Sequence, residues 1–301
     1  MQVVTWAHVR LCRCVSASHA VLPANVSGIL MAFNHMKLHY APALAEQLGK
    51  FPALKHLDVS ANPGLRLLPI GMLRNAATLE TFKCDGCSLV LPPQSLFSTP
   101  EENPRRIQQL LSKGSSVTAL ELSAAELTSN TAHEVAALLP LYPALKQLDV
   151  SANPGLDFGS VSLIIKALSG RTRDFVFVSD SFLCSHFLLQ RSHVSPGAPE
   201  FAELNLGGIG VDSLPDDIPQ HTPNLKKLIL DHCVNLSCLP VLLGSLKRLE
   251  IVSVEGCTAL VHPPISQRSD PSKTANFLRQ LHDNSVIWRR LKVPQPPCLA
   301  R

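Results

Sequence analysis

Leucine and valine recur along this chain at a short, fixed spacing that predicts strands. Residues 51–65 read FPALKHLDVSANPGL and residues 142–156 read YPALKQLDVSANPGL, so thirteen of fifteen positions are identical. In both stretches apolar and polar residues alternate before an Asn-Pro-Gly turn, as they do in a half-buried strand. The pattern therefore predicts a short strand, a turn and a buried leucine after the turn, and this arrangement occurs twice at an offset of 91 residues.

The same frame of apolar positions extends well beyond these two copies. It follows the spacing L-x-x-L-x-L-x-x-N-x-L, with cysteine in place of asparagine in some units. The nine predicted units begin at Val26, Leu54, Leu79, Val117, Leu145, Thr172, Phe201, Leu225 and Leu249. All but one of the steps between them are 24 to 29 residues long. Units of this length predict an α/β solenoid with a parallel sheet on its concave face and helices and loops on its convex face.

The one long step, of 38 residues, indicates an insertion at residues 91–114, with a short helix expected near Ile107–Leu111. A related proline-rich stretch follows the last unit, and the helix expected there carries Phe277, Leu278 and Leu281 on one face. Such a face suits the covering of a terminal repeat. The expected organisation is an irregular segment or degenerate cap at 1–25, a repeat domain at 26–262, a capping helix segment at 263–293 and a disordered tail at 294–301.

The span from Val26 to Leu260 resembles the leucine-rich repeat superfamily, because nine units share one frame. Units with steps near 28 look like the ribonuclease-inhibitor class, and residues 230–264 look like the shorter repeats of intracellular immune receptors and signalling proteins. The closing PPISQRSDPSKTANFLRQL and WRRLKV are similar to the junction before the Ras-like GTPase domain of Roco-family proteins. That resemblance implies a first GTPase strand near Arg290–Val293 and a role in protein interaction.

A GTPase would also need a phosphate-binding loop, and this chain departs from the Roco family there. The pattern G-x-x-x-x-G-K-[ST] is absent, and the pair Gly49-Lys50 lacks the upstream glycine. We therefore expect no GTP binding by this chain. Two alternatives stay open beside a plain interaction module: a regulator of the GTPase-activating type, and a truncated Roco-type protein without its GTPase domain.

Composition and charge narrow the class of protein further. A formal net charge of +4 with dispersed Lys and Arg does not indicate a nucleic-acid partner, and no run of eighteen apolar residues predicts membrane insertion. Nine cysteines, an odd number in a long chain, favour a reducing compartment. Polar residues His8, Arg10 and Arg13 interrupt the amino-terminal stretch where a secretory signal would be apolar. The expected location is cytoplasmic.

Motifs for catalysis or metal binding are weak. Cys84 and Cys87 form a C-x-x-C, but both fill repeat positions and have no second ligand pair at the spacing of a zinc site. His133-Glu134 begins like a zinc-protease helix, and Ala137 stands where its second histidine is needed. We expect no enzymatic activity, no cofactor and no metal.

Strand residues that alternate with the buried ones point towards solvent and are rich in carboxylates. This pattern favours a protein partner of basic character and a scaffold role in intracellular signal transduction. An ordinary solvated sheet face would show the same pattern. The predicted partner-binding residues are His56, Asp58, Lys83, Asp85, Glu121, Gln147, Asp149, Asp174, Glu203, Lys227, Asp231 and Glu255.

Overall fold

A computed structural model describes residues 2–5, 26–32, 51, 53–68, 78–169 and 200–291. Within these ranges the strands are β1 Gln2–Thr5, β2 Val26–Leu30, β3 His56–Asp58, β4 Thr81–Lys83, β5 Ala119–Glu121, β6 Gln147–Asp149, β7 Glu203–Asn205, β8 Lys227–Ile229 and β9 Ile251–Ser253. The α-helices are α1 Asn103–Lys113, α2 Ser129–Leu138, α3 Phe158–Leu168, α4 Ile218–His221, α5 Ile265–Arg268 and α6 Pro271–Leu291. Short 3-10 helices span Gln94–Leu96, Leu139–Leu141 and Val241–Ser245.

These strands form two parallel sheets, in the orders β1-β2-β3-β4 and β5-β6-β7-β8-β9. The described residues divide into two compact units, one ending at Ser115 and the next beginning at Ser116, and each sheet lies within one unit. Equivalent positions of the repeat frame pair across neighbouring strands, for example Leu148 with Leu204 and Leu204 with Leu228. The chain is thus an α/β repeat fold with parallel strands. The pattern predicted a parallel sheet, and the described strands are parallel but form two sheets.

The core of each unit consists of the residues that the frame predicted. Leu54, Leu57 and Val59 are at most 1% exposed, and so are Leu145 and Leu148. Each buried aliphatic side chain of this kind stabilises the fold by about 1.5 to 3 kcal/mol, which no isolated repeat could gain without its neighbours. The buried frame is confirmed in the described units, with the exception that Val117 is only half-buried.

Asparagine in the turn after the strand is buried, and its side chain is hydrogen-bonded to backbone groups. The side-chain amide of Asn62 donates to the carbonyl oxygens of Met31, Val59 and Ser60 at 2.7 to 3.1 Å. Asn153 repeats this arrangement in the second sheet, where it donates to the carbonyl oxygens of Leu122, Val150 and Ser151. These bonds join each turn to the unit before it and satisfy a buried polar group.

A left-handed residue precedes that asparagine or cysteine position in the turns. Ala61 and Ala152 both have φ of +54°, and His232 has φ of +60°. Glycine, which adopts this conformation without strain, occupies the equivalent place at Gly208 and Gly256. Because all these turns share one backbone conformation, the N–H of Ala152 can donate to the carbonyl of Gly207 in the next unit at 2.7 Å.

The side of the second unit opposite the sheet changes from α-helix to tighter turns along the chain. The 28-residue repeats carry α2 and α3, which pack on each other, whereas the later 24-residue repeats carry only α4 and the 3-10 helix Val241–Ser245. Helix α2 ends at Leu138, where Pro140 and the 3-10 helix Leu139–Leu141 follow it. The insertion carries α1, longer than the expected Ile107–Leu111.

The structure bears on three sequence-based expectations. Residues 2–5 form strand β1 and pair with β2, so they are not irregular, and a degenerate cap at residues 1–25 stays a prediction. The sixth unit, expected from Thr172, lies outside the described residues; β6 pairs directly with β7, and the Val150 N–H donates to the Asn205 carbonyl. The GTPase strand expected from Arg290 is wrong for Arg290 and Leu291, which end helix α6. Lys292 and Val293 lie outside the described residues.

Helix α6 closes the described chain and packs against β9 and the 3-10 helix Val241–Ser245. Leu278 and Ala275 are buried there, whereas Phe277 and Leu281 are half-buried. Gly244 permits the close approach, since a Cβ at that position would stand only 2.2 Å from the carbonyl oxygen of Leu278. Among the described residues, no helix has the length and apolar character required to cross a membrane.

Candidate interaction surface

The second sheet presents its outward side chains in three rows across the strands. The first row runs through Gln147, Glu203 and Lys227, because these residues are paired in register across β6, β7 and β8. The second row follows two residues later in each strand, and the third lies at the start of each turn. Neighbouring strands in a sheet stand about 4.8 Å apart, so side chains in one row are close neighbours.

A shallow groove of about 330 Å³ lies on this face. The residues that line it include Ala119, Glu121, Gln147, Asp149, Glu203, Asn205, Lys227 and Ile229. Ala119 and Ile229 supply apolar surface at its two ends, while carboxylates and amides lie between them. The groove thus combines apolar contact area with negative charge on rigid strands.

Asp149 is held in a fixed orientation within the groove. Its Oδ1 accepts the backbone N–H of Ser151 at 2.8 Å, and its Oδ2 accepts the Asn205 side-chain amide at 2.9 Å. Asn205 in turn accepts the N–H of Gly207 at 3.0 Å. Asp149 and Asn205 therefore form one connected hydrogen-bond network across β6 and β7.

Asp231 is fixed in a similar way at the other end of the face. Its Oδ1 accepts the Ser253 hydroxyl at 2.6 Å and the backbone N–H of Glu255 at 2.8 Å. Glu255 itself is exposed. Hydrogen bonds thus orient the carboxylate of Asp231, whereas Glu255 is exposed to solvent.

Carboxylates on this face differ from Glu200, which lies at the edge of the sheet formed by the amino-terminal ends of its strands. At the edge, Glu200 pairs with Lys146 at 2.7 Å, and the hydrogen bond and positive charge of Lys146 lower the pKa of Glu200. On the face, by contrast, no ion pair in the described part of the chain involves Glu121, Glu203 or Glu255. Even Glu203 and Lys227, which are register partners, form none. The negative charge of the face is therefore not neutralised from within the described residues.

The first sheet holds four of the predicted partner-binding residues. His56 Nδ1 lies 3.0 Å from the Thr81 hydroxyl oxygen, and Asp58 accepts the Ser60 N–H at 2.9 Å. Lys83 and Asp85 are exposed at and just beyond the end of β4. These four share a sheet with one another and not with the groove residues.

Seven further predicted residues lie on the second sheet or at the start of its turns. They are Glu121, Gln147, Asp149, Glu203, Lys227, Asp231 and Glu255. Asp174 lies outside the described residues. Sequence reasoning did not select Asn205 and Ser253, which orient Asp149 and Asp231. Their outward positions in the same rows were the available signal, but only the hydrogen bonds show their role.

Cysteines 84 and 87 lie in the core of the first unit. Both are buried, and the Cys87 thiol donates to the Val59 carbonyl at 3.1 Å. Burial raises the pKa of Cys84 to about 12 and raises that of Cys87 as well. Within the described ranges, no group of three or more His, Cys, Asp or Glu side chains is placed to hold a metal ion.

Comparison with known proteins gives no match to a family model and none to a curated protein. Among solved structures, the leucine-rich repeat domain of the type III effector XCV3220 (XopL) is 20% identical, with 73% of this chain and 51% of that chain covered and a TM-score of 0.28. The Toll–Spätzle complex of Drosophila is 15% identical, with 77% and 20% covered and a TM-score of 0.26.

The complex of TLR13 with ssRNA13 is 14% identical, with 76% and 32% covered and a TM-score of 0.18. This chain therefore spans about half, or less, of each of these three structures. All three TM-scores are far below 0.5.

Proposed function

We propose that this chain is a non-enzymatic protein-interaction module that binds a partner of basic character on the outward face of its second sheet. The observation that carries the proposal is the contrast between Glu200, which is paired with Lys146 at the edge of the sheet, and Glu121, Glu203 and Glu255 on the face, which form no ion pair among the described residues. A face built only for solvation has no need to differ from the edge in this way. The binding residues are Glu121, Asp149, Glu203, Asp231 and Glu255.

The chemistry of the groove favours a peptide segment with Lys or Arg. Opposite charges across an interface increase the association rate and select the partner, and like charges exclude wrong ones. Asp149 and Asp231 are already oriented by hydrogen bonds, so less side-chain entropy is lost when they bind a cation. Apolar surface from Ile229 adds contact area beside the charges.

We further propose that both units are leucine-rich repeat solenoids and that residues 263–293 cap the second. The in-register leucines and the asparagine bonds support the first part, and the packing of α6 on β9 supports the second. A scaffold role in cytoplasmic signalling, and an origin in a Roco-type protein, rest on the sequence resemblance alone.

A charge-reversal pair tests the binding proposal. Glu121→Lys combined with Glu203→Lys places two positive charges in the groove without removing a bond that orients Asp149. The probe is a fluorescein-labelled decapeptide of alternating Lys and Gly, and its binding is measured by fluorescence anisotropy at low ionic strength. We expect the variant to bind about tenfold or more weakly, since like charges across an interface cost several kcal/mol.

The matched control is Glu200→Lys combined with Glu250→Lys, which changes the net charge equally but at the edge of the sheet. Both residues are exposed just before β7 and β9. We expect the control to bind the probe nearly as well as the wild type. An equal loss in both pairs would show that only net charge matters, and no loss in the groove pair would place binding elsewhere.

A further inference from the structure

The insertion at residues 91–114 repeats the segment that follows the last unit. When residues 92–111 are aligned with residues 263–282, seven of twenty positions are identical. The identical pairs are Pro92 and Pro263, Pro93 and Pro264, Ser95 and Ser266, Ser98 and Ser269, Pro100 and Pro271, Gln109 and Gln280, and Leu110 and Leu281. The alignment has no gaps, so it predicts a shared local structure.

The two segments also share their local backbone structure. After the double proline each forms a short helical turn, in which the N–H of Leu96 donates to Pro93 and the N–H of Gln267 donates to Pro264, both at 2.9 Å. A longer helix then follows in each, α1 in the first segment and α6 in the second. The two segments are therefore equivalent in structure as well as in sequence.

Each of these helices packs on the last strand of a sheet, α1 on β4 and α6 on β9. The side chains they bury are at aligned positions: Ile107 and Leu278 are each 1% exposed, and Asn103 and Thr274 are 2% and 0% exposed. The insertion thus covers the end of the first sheet in the way that the final segment covers the end of the second.

The insertion also takes the hydrogen bonds that a next strand would take. The N–H of Val59, the residue just after β3, donates to the carbonyl oxygen of Lys83 in β4. The backbone groups of every second residue therefore point to the next strand. By the same alternation, the N–H and C=O of Phe82 point to the side of β4 that lies away from β3. There the Phe82 N–H donates to the Pro100 carbonyl at 2.8 Å, and the Asn103 amide donates to the Phe82 carbonyl at 2.9 Å.

An aromatic contact fixes the same segment to the end of the sheet. The rings of Phe82 and Phe97 meet edge to face, with centroids 5.6 Å apart. Open sheet edges pair readily with other strands, and proteins commonly cover them with a loop or helix. Here the insertion hydrogen-bonds the N–H and C=O of Phe82 at the edge and packs against its ring.

We infer that residues 91–114 are an internal cap, and that the chain consists of two repeat arrays in sequence, each closed by its own cap. In repeat proteins each unit is stabilised by contacts with its nearest neighbours, and capping units close the ends of an array. Each array therefore opens without the other, and each sheet presents its own face. This inference is independent of the proposed binding of a basic partner.

Hydrogen exchange on the full-length chain, followed by mass spectrometry, tests the inference with two nearly isosteric variants. Asn103→Asp keeps the acceptor for the Ser98 N–H and loses the donor to Phe82. Thr274→Val removes the hydroxyl that donates to the Gln267 carbonyl in the final segment. We expect Asn103→Asp to accelerate exchange about tenfold or more across residues 79–113 and not in 119–168 or 203–260. Thr274→Val should accelerate exchange within 249–286 only.

Phe97→Leu provides a milder variant of the first segment, because it keeps apolar volume and loses the aromatic contact. It should accelerate exchange in the same region as Asn103→Asp, though less. Acceleration that spreads from either variant across both arrays would overturn the inference, since it would show one continuous array. Acceleration confined to residues 94–103 would overturn it too, because the segment would then be an ordinary surface loop.

Discussion

One turn position holds asparagine in some units and cysteine in others, and the residue there decides how many backbone groups its side chain can hydrogen-bond. Asn153 donates to three carbonyls and accepts the N–H groups of Ala125 and Leu127 at 3.0 and 2.9 Å. Cys233 and Cys257 each donate to one carbonyl, at 3.2 and 3.0 Å. The frame predicted that these residues are buried, but it does not state which backbone groups they satisfy. The backbone groups within reach are set by the path of the turn in the preceding unit.

Tyr142 differs from its counterpart Phe51 by a hydroxyl group, and this difference gives a prediction at the residue scale. Tyr142 is 1% exposed, and within the described residues its hydroxyl has no hydrogen-bond partner. Burial also raises its pKa. Tyr142→Phe should increase the free energy of unfolding by about 1 kcal/mol, because an unsatisfied buried polar group is removed. Urea unfolding measures the change.

The matched variant is Phe51→Tyr, which introduces the same hydroxyl at the equivalent buried position. It should lower the free energy of unfolding by a similar amount. If Tyr142→Phe proved destabilising instead, the hydroxyl would have a partner and the two sites would not be equivalent.

At the scale of the element, short strands and helix starts follow directly from the sequence. Each described strand from β3 to β9 is three residues long and centres on the first apolar residue of the L-x-L pair or its equivalent, so the second apolar residue lies just after the strand. Helix α2 begins after Thr128, whose side chain accepts the N–H of Thr131 in a capping box. The strand β1 was not predicted, because residues 2–5 contain no repeat frame. Its pairing with β2 depends on the tertiary structure.

Asp157 gives a prediction about a helix start. It caps α3 by accepting the backbone N–H of Ser160 at 2.7 Å and the Ser160 hydroxyl at 2.6 Å. Asp157→Ala should lower the free energy of unfolding by about 1 kcal/mol at neutral pH. The bonds from Ser160 also lower the pKa of Asp157 from its ordinary value of 3.8.

The pH dependence of that contribution has a defined sign. Since the pKa is lower in the folded state, the charged carboxylate stabilises the fold above pH 3.8, and this stabilisation is lost as the pH falls further. Asp157→Asn retains an acceptor without the charge and serves as the control. Wild type and Asp157→Asn should therefore converge in urea unfolding well below pH 3.8. A constant difference would show that the charge does not contribute.

At the scale of the whole molecule, periodicity predicted the repeats but not where they stop. The 38-residue step located the insertion, yet its role depends on the bonds that Pro100 and Asn103 make with Phe82. No period in the sequence encodes those contacts. β6 also pairs directly with β7, although the frame has a further unit between them in the sequence, at residues 172–182, which lie outside the described residues. A sequence pattern counts units without showing which units are neighbours.

The outward face of the sheets was predicted about as well as the repeats were. Alternation identified the outward residues of both sheets, including Glu121, Asp149 and Glu203 on the groove. It did not separate them from His56 and Asp58, which belong to the first sheet. It also could not show that Glu200 pairs with Lys146 while Glu121 and Glu203 form no ion pair among the described residues, because ion pairing depends on side-chain geometry.

Photo-crosslinking tests the central claim, binding on the groove, most directly. Benzoylphenylalanine is introduced at Gln147, which is exposed on the groove, or at Lys247, which is exposed beyond the 3-10 helix Val241–Ser245. Each protein is irradiated with the labelled Lys-Gly decapeptide. The proposal predicts an adduct from position 147, abolished by the groove charge reversal, and little from position 247. Equal adducts at both positions, or an adduct at 247 alone, would contradict it.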